Sequence, residues 1–332
     1  MSLSVVIYAQ AFAATGMITS KDDAISAAFV ELDETNLKKE AEPYRSGLEE
    51  IIRKPEPYRG GLKRIISVSP GPEDEMPRQL DAYVRYLPSH GANAQSGNIG
   101  IVASEYEYSS DFKLFEKIPL QLSFGNQYVG IENSTVVSLP AHLTSFETDL
   151  ETTLPFFGIE NTYLRIGVHP AFYTDNWSAY ASSFRIPSRY FAIYSPNDKL
   201  TLILGVAVSP DYEEVVQPIA GFIYRPTDKL TFDITPRRPN VAYGLNKKLS
   251  VFAEYGFDSD EFEVTKDGYK GAVLVYSERR AGAGFKFTPN KYIKGSISAG
   301  NVFSSLLQYR DSLGKVQLKN GFYAELRMEA AF

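Results

Sequence analysis

The chain has 332 residues and a formal net charge of −6, with 22 Tyr, 21 Phe, three His and no Cys. Without Cys there is no disulfide framework, no thiolate metal or iron–sulfur site and no Cys nucleophile. His90, His142 and His169 are too few for a His-rich metal site, and an acidic chain lacks the basic footprint of a nucleic-acid binder, so no cofactor, no metal and no nucleic acid is expected.

Residues 1 to 16 read as a signal peptide cut short at its start. An apolar run from Leu3 to Ala14 ends in small residues, and Ala11-Phe12-Ala13 fits a small-x-small cleavage pattern. No basic residue precedes Lys21, so the positive n-region is missing. No window approaches the ~20 apolar residues of a spanning helix.

Residues 17 to 95 form a polar leader rich in charge and Pro. Glu42-Pro43-Tyr44-Arg45 and the following Leu48, Ile51 and Ile52 return 14 residues later as Glu56-Pro57-Tyr58-Arg59 with Leu62, Ile65 and Ile66. A two-turn helix is marginal alone in water, so each copy needs a surface to lie against. Linker, barrel plug and periplasmic docking arm remain open, and Pro70-Gly71-Pro72 marks a break.

From 96 to 332 the chain reads as strand after strand. In the last segment Phe322, Ala324, Leu326, Met328, Ala330 and Phe332 alternate with Tyr323, Glu325, Arg327 and Glu329. A period of two over eleven residues exceeds the usual strand of 5–6 and matches the ~9–11 of a tilted membrane strand. Leu164, Ile166, Val168 and Phe172 alternate with Arg165 and His169. Leu200, Leu202, Leu204 and Val206 form another row, as do Leu249, Val251, Tyr255 and Phe257 opposite Glu254. Phe146, Leu150 and Leu154 face away from Glu147, Asp149 and Glu151.

The turns share a template. Tyr194-Ser-Pro196-Asn, Tyr224-Arg-Pro226-Thr and Phe287-Thr-Pro289-Asn each open on an aromatic and close on an aliphatic. Pro presets φ for a tight turn, and Asn or Asp tolerates the rest of it. Spaced by whole hairpins, they belong to one rim, and aromatics at one height form an interfacial girdle.

A sandwich also alternates, but it gives no role to a strand that runs to the last residue and stops on Phe332. In a closed membrane barrel that strand seals the sheet, because an open edge in lipid leaves unpaired backbone groups. Were odd positions to face lipid, Arg327 near the midplane would cost ~2–4 kcal/mol. Glu325, Arg327 and Glu329 therefore belong to the lumen with Glu147, Asp149, Glu151, Arg165, His169 and Glu254. The expected fold is all-β, a closed antiparallel transmembrane barrel. At about 20 residues per strand with its connection, residues 96 to 332 hold about 12 strands, with 10 and 14 open.

Phe332, with Met328, Leu326 and Phe322 on its face, resembles the closing-strand signal of Gram-negative outer-membrane β-barrels. That resemblance implies bacterial outer-membrane localisation, recognition by the barrel-assembly machinery, and contact with outer-membrane lipid and lipopolysaccharide. The template around Pro218, Gly221, Tyr224 and Pro226, followed by Pro236 and Pro239-Asn240, is similar to outer-membrane barrel families of unknown function.

Three functions are compatible with this reading, in rank order. The first is porin-like passage or binding of small solutes, with the Glu147–Asp149–Glu151 ladder as a cation-selective wall. The second is a structural or assembly barrel with residues 17 to 95 as an interaction arm. The third is an interfacial hydrolase using His142 with Ser134, Ser138 or Ser145 and Asp149, but no Gly-flanked nucleophile turn is present and no catalytic residue is assigned. Asp258, Asp260, Glu261 and Glu263 read as a long acidic loop. Arg237, Arg238, Arg279 and Arg280 read as two Arg pairs at strand ends, suited to phosphate contact.

Overall fold

The computed structural model describes residues 78–332, apart from 94–95, 116–117, 157, 177–182, 211, 213, 237, 267–268 and 311–312. The signal-peptide segment, the 14-residue repeat and the rest of the leader up to 77 lie outside the described residues. Within them the chain forms β1 (Arg78–Gly91), β2 (Asn98–Leu114), β3 (Ile118–Asn133), β4 (His142–Pro155), β5 (Thr162–Val168), β6 (Ala171–Thr174), β7 (Phe184–Arg185), β8 (Ser188–Asn197) and β9 (Leu200–Val208). There follow β10 (Val216–Tyr224), β11 (Leu230–Ile234), β12 (Asn240–Gly244), β13 (Leu249–Lys266), β14 (Tyr269–Phe287), β15 (Ile293–Tyr309), β16 (Lys315–Leu318) and β17 (Gly321–Ala331).

Three breaks divide what are single barrel strands. β5 and β6 keep one register against β4, so that Leu150 faces Val168 and Glu147 faces Ala171 across the interruption at His169-Pro170. β7 with β8, and β16 with β17, keep register in the same way. The barrel therefore has 14 strands, the upper end of the range expected from length. It closes where β1 pairs antiparallel with β17 through eight residue pairs, from Gln79↔Ala331 to Tyr86↔Ala324. Phe332 N–H donates to the Arg78 carbonyl at 2.9 Å and completes the seam.

The leader boundary is corrected by this seam, because the first strand begins at Arg78 and not after residue 95. Leu80, Val84 and Tyr86 are exposed while Asp81, Tyr83, Arg85 and Leu87 are buried. The charged half of that alternation gave the segment the polar look of the leader.

Large apolar side chains cover the outside. Leu204 is 68% exposed and Ile297 56%, and similar rows run along β2, β3, β10 and β17. Patches of this extent are not left to water on a soluble monomer. A sheet closed at the β1–β17 seam with an apolar exterior spans a membrane, because strand pairing keeps backbone groups of the wall from lipid.

Arg78 and Phe332 lie on one rim, called here the near rim. The β8–β9, β10–β11 and β14–β15 turns carrying Pro196, Pro226 and Pro289 lie on it as well. Tyr194 and Tyr224 are exposed there and Tyr224 stacks on Phe232 at 6.3 Å, while Phe287 stands opposite Leu249. Loop 134–141, and residues 175, 176, 183, 209, 210, 212, 214 and 215 of two other connections, belong to the far rim.

Wall height is uneven. β13 and β14 hold 18 and 19 residues, β11 and β12 only five each. Near the far rim, Phe262, Val264, Ala272, Leu274 and Tyr276 of the β13–β14 hairpin are buried in one cluster with Leu87, Ile99, Ile101, Val129 and Leu143 of β1–β4 and Leu307, Tyr309 and Val316 of β15–β16. Inward faces that a wide pore would hold apart are closed on one another, and β13 reaches far enough to pair with β6 through Glu263↔Thr174.

Candidate functional site: the lumen

Beneath the dry cluster lies a belt of charge. Arg85 on β1 is 2% exposed. Its guanidinium lies 3.1 Å from Asp258, 3.4 Å from Glu278 and 3.7 Å from Glu325. Asp258 and Glu278 stand opposite each other on β13 and β14, so Arg85 ties that hairpin to the β1–β17 seam. Arg280 adds contacts of 2.5 Å to Asp258 and 3.2 Å to Glu278, and Tyr276 Oη donates to Glu278 at 2.8 Å. A Cβ at Gly256 would sit 2.6 Å from the Arg280 Cζ, so only glycine leaves this guanidinium its place.

The belt continues along the closing strand. Glu325 meets Arg238 and lies 3.7 Å from Arg327 Nε. Arg327 donates to Asp81 at 3.2 Å and lies over the Tyr83 ring at 4.8 Å. Glu254 accepts from Arg238 at 2.9 Å and from Tyr323 Oη at 3.4 Å. Arg238 belongs to the β11–β12 loop. Glu329 sits nearer the near rim, 3.6 Å from Lys294.

A second group lines β4 and its neighbours. Glu147 accepts from Ser145 Oγ at 3.2 Å and Tyr173 Oη at 3.1 Å. Asp149 lies 2.6 Å from His169 Nδ1, and Glu151 meets Arg165, which also donates to Gln121 at 3.0 Å. Register carries the same face onto β2 and β3, where Glu105 opposes Gln127 and Glu107 opposes Gly125. Between these strands and β13 is a cavity of about 70 Å³ lined by Glu105, Glu107, Glu147, Asp149, Asp258 and Asp260. Low-dielectric walls of one sign concentrate counter-ions. Among the described residues no three of His, Asp and Glu are placed to hold a metal ion.

Two sequence readings are corrected. Asp258, Asp260, Glu261 and Glu263 are not a loop but the upper half of β13. The acidic look reflects pairing on both faces of the strand: Asp258 meets Arg85 and Arg280 on the lumen side, and Glu261 on the other face meets Arg185 at 3.2 Å and Arg310 at 2.6 Å. Arg280 is not at a strand end but mid-strand and buried, Arg238 turns inward, and Arg279 lies on the outer face over the Phe257 ring at 5.6 Å. Arg237 lies outside the described residues. Arg85, Glu278 and Tyr276 were missed. The alternation Glu278, Arg280, Gly282, Gly284, Lys286 was the signal for β14, and Asp81, Tyr83, Arg85 for β1.

The hydrolase arrangement of His142 with Ser145 and Asp149 is not assembled, and Asp149 is bonded to His169 instead. His142 opens β4 and stacks on Tyr128 at 5.8 Å. Ser145 lies an odd number of residues away on the same strand, hence on the opposite face, where its hydroxyl donates to Glu147.

No family model matches the chain, and no curated protein matches it. Among solved structures it is similar to a FadL homologue from Pseudomonas aeruginosa, at 11% identity over 78% of this chain and 90% of that one, with a TM-score of 0.40. An outer membrane channel from Pseudomonas putida F1 matches at 12% identity over 80% and 100%, with a TM-score of 0.42. The KdgM porin in complex with disordered oligogalacturonate matches at 9% over 76% and 99%, with a TM-score of 0.33. At these values the likeness carries no functional weight.

Proposed function

We propose that this outer-membrane β-barrel is a gated channel for small cationic solutes, described here in its closed state. The observation that carries the reading is the six-carboxylate cavity lying beneath a dry cluster, a site that attracts cations under a seal that stops them. Arg85 is the latch, since it holds the hairpin forming one side of the seal to the barrel's closing strands.

The test is planar-bilayer recording of the full-length protein in a KCl gradient, beside Arg85→Leu. Brief, rare openings with a cation-selective reversal potential are expected of the parent, and a higher open probability of the variant. Absence of conductance in both, with both showing the heat-dependent gel shift of a folded barrel, overturns the reading.

The filled lumen also favours a second reading, a structural barrel that works through partners: outer-membrane lipid, lipopolysaccharide, the assembly machinery, or a periplasmic protein met by the leader. Because β1 begins at Arg78, the deletion that tests the leader removes residues 17 to 77 and leaves the seam whole. Loss of a co-purifying periplasmic protein, with the gel shift retained, supports the second reading; an unchanged set counts against it.

A further inference from the structure

Among the described residues the wall of the barrel is incomplete on one side. A strand rises about 3.3 Å per residue, so the five residues of β11 and of β12 reach about 17 Å even if untilted, short of the ~25 Å apolar band that a barrel must cover. β10 pairs with β11 only through Phe222, Ile223 and Tyr224, and β12 leaves β13 at Glu254. Above those pairs, among the described residues, the β11–β12 hairpin does not continue the sheet. The next strand contact on that edge of β13 is the single bridge to β6 at Glu263↔Thr174.

The gap is framed rather than frayed. Below, Thr235 and Pro236 pack on Gly221, where a Cβ would lie 2.7 Å from the Ile234 carbonyl, and Arg238 turns inward to Glu254 and Glu325. Above, Arg185 pairs with Glu261 and Tyr212 covers it at 4.4 Å. Beside it, Val216 and Phe222 on β10 and Tyr255 and Phe257 on β13 are exposed apolar residues of the lipid face, so the window stands at membrane depth. Irregular backbone at that depth persists only where it is covered by protein or lines a cavity.

The lumen wall beside the window departs from the polar interior of a water-filled barrel. At mid-height the inward positions of β8, β9 and β10 are Phe191, Ile193, Ile203, Gly205, Ile219 and Gly221, with Phe191 opposite Gly205 and Ile203 opposite Gly221, and the polar Arg189, Ser195, Thr201 and Gln217 lie above and below them. At that height these strands are apolar on both faces, while β2 to β4 present carboxylates.

We propose that the window between β10 and β13 is a lateral port between lumen and lipid, and that the solute is an amphipathic cation. Its apolar body crosses the port along Ile219 and Gly221, and its cationic head is drawn to the carboxylates of the lumen. This names the substrate class of the channel proposed above and rests on that reading for the head group only; the port stands on wall geometry alone.

The test is photolabelling of the full-length protein in phosphatidylcholine liposomes with a diazirine-bearing dodecylammonium, mapped by peptide mass spectrometry. Label is expected at Ile219–Gly221 and Thr235–Pro236, competed at least fivefold better by dodecylammonium than by dodecanol. Label at Leu326 and Ile297, on the plain lipid face, is expected without selective competition. Label confined to outward positions overturns the port, and equal competition by dodecanol overturns the cationic head group. Ile219→Trp should reduce label at Thr235–Pro236 severalfold with the gel shift intact; unchanged label also overturns the port. Should that variant fail to fold, the parent pattern decides. Conductance is read separately, so ions passing without inward label reject the port alone, while inward label without conductance rejects the channel.

Discussion

Replacing Arg85 by Leu removes a cation that touches Asp258, Glu278 and Glu325 together. Breaking a buried ion pair on one side costs about 3–5 kcal/mol, because the partner keeps its charge without its compensation. Here the lower end applies. Asp258 and Glu278 retain Arg280, Glu278 retains the Tyr276 hydroxyl, and Glu325 retains Arg238 and Arg327. A loss of about 3 kcal/mol is roughly a hundredfold in the folding equilibrium. Urea titration of liposome-reconstituted protein, read as the fraction in the unboiled folded band, measures it. Arg85→Leu with Glu278→Gln removes one charge of each sign and should destabilise less than the two single changes added together, with a coupling of at least ~0.5 kcal/mol. A loss below ~0.5 kcal/mol for Arg85→Leu, or strict additivity in the double variant, would falsify the latch.

Three further outcomes are expected. Leu204→Arg places a charge on the most exposed apolar position of β9 and should cost ~2–4 kcal/mol, whereas Ala207→Gln, facing the lumen opposite Arg189, should be tolerated; urea titration in liposomes separates them. Deleting Phe332 removes the 2.9 Å bond to the Arg78 carbonyl and should lower the heat-shifting fraction of the outer-membrane pool, as read on boiled and unboiled gels. Glu147→Gln with Asp149→Asn takes two charges from the acidic cavity and should move the reversal potential in a KCl gradient towards zero; an unchanged value places the selectivity elsewhere.

Much of the sheet was legible because lipid enforces the alternation. On β17 each even position faces a solvent that rejects charge, so the order of residues alone assigns Glu325, Arg327 and Glu329 to the other side. β1 escaped because its outward row of Leu80, Ala82, Val84 and Tyr86 is diluted by a short, charged inward row, and it comes after a Pro-rich leader. β13 escaped at its far end for a different reason. Period-two reasoning assumes that one face is dry and the other wet, yet Glu261, Phe262, Glu263 and Val264 are all buried. There the hairpin has left the wall-and-lumen geometry, and one face meets the cluster of β1–β4 while the other meets Arg185 and Arg310. The acidic composition was visible, but the cations that explain it come from residues 76 and 49 positions away. Long-range pairing of that kind leaves no local pattern.

The same hairpin carries both parts of the closure. Asp258 and Glu278, which hold the charged belt, lie four residues from Phe262 and Leu274, which hold the dry cluster. Belt and cluster therefore cannot open separately without bending β13 or β14 within one turn of the pleat, and β13 and β14 stay paired through that stretch. On one side the hairpin is anchored by the long ladder to β15; on the other it holds β12 through five pairs only. The weak edge is also the edge of the window. A displacement of the hairpin that freed the seal would pivot on β15 and widen the gap beside β10, so the seal over the lumen and the port in its wall are two consequences of one short hairpin, β11–β12, beside one long one.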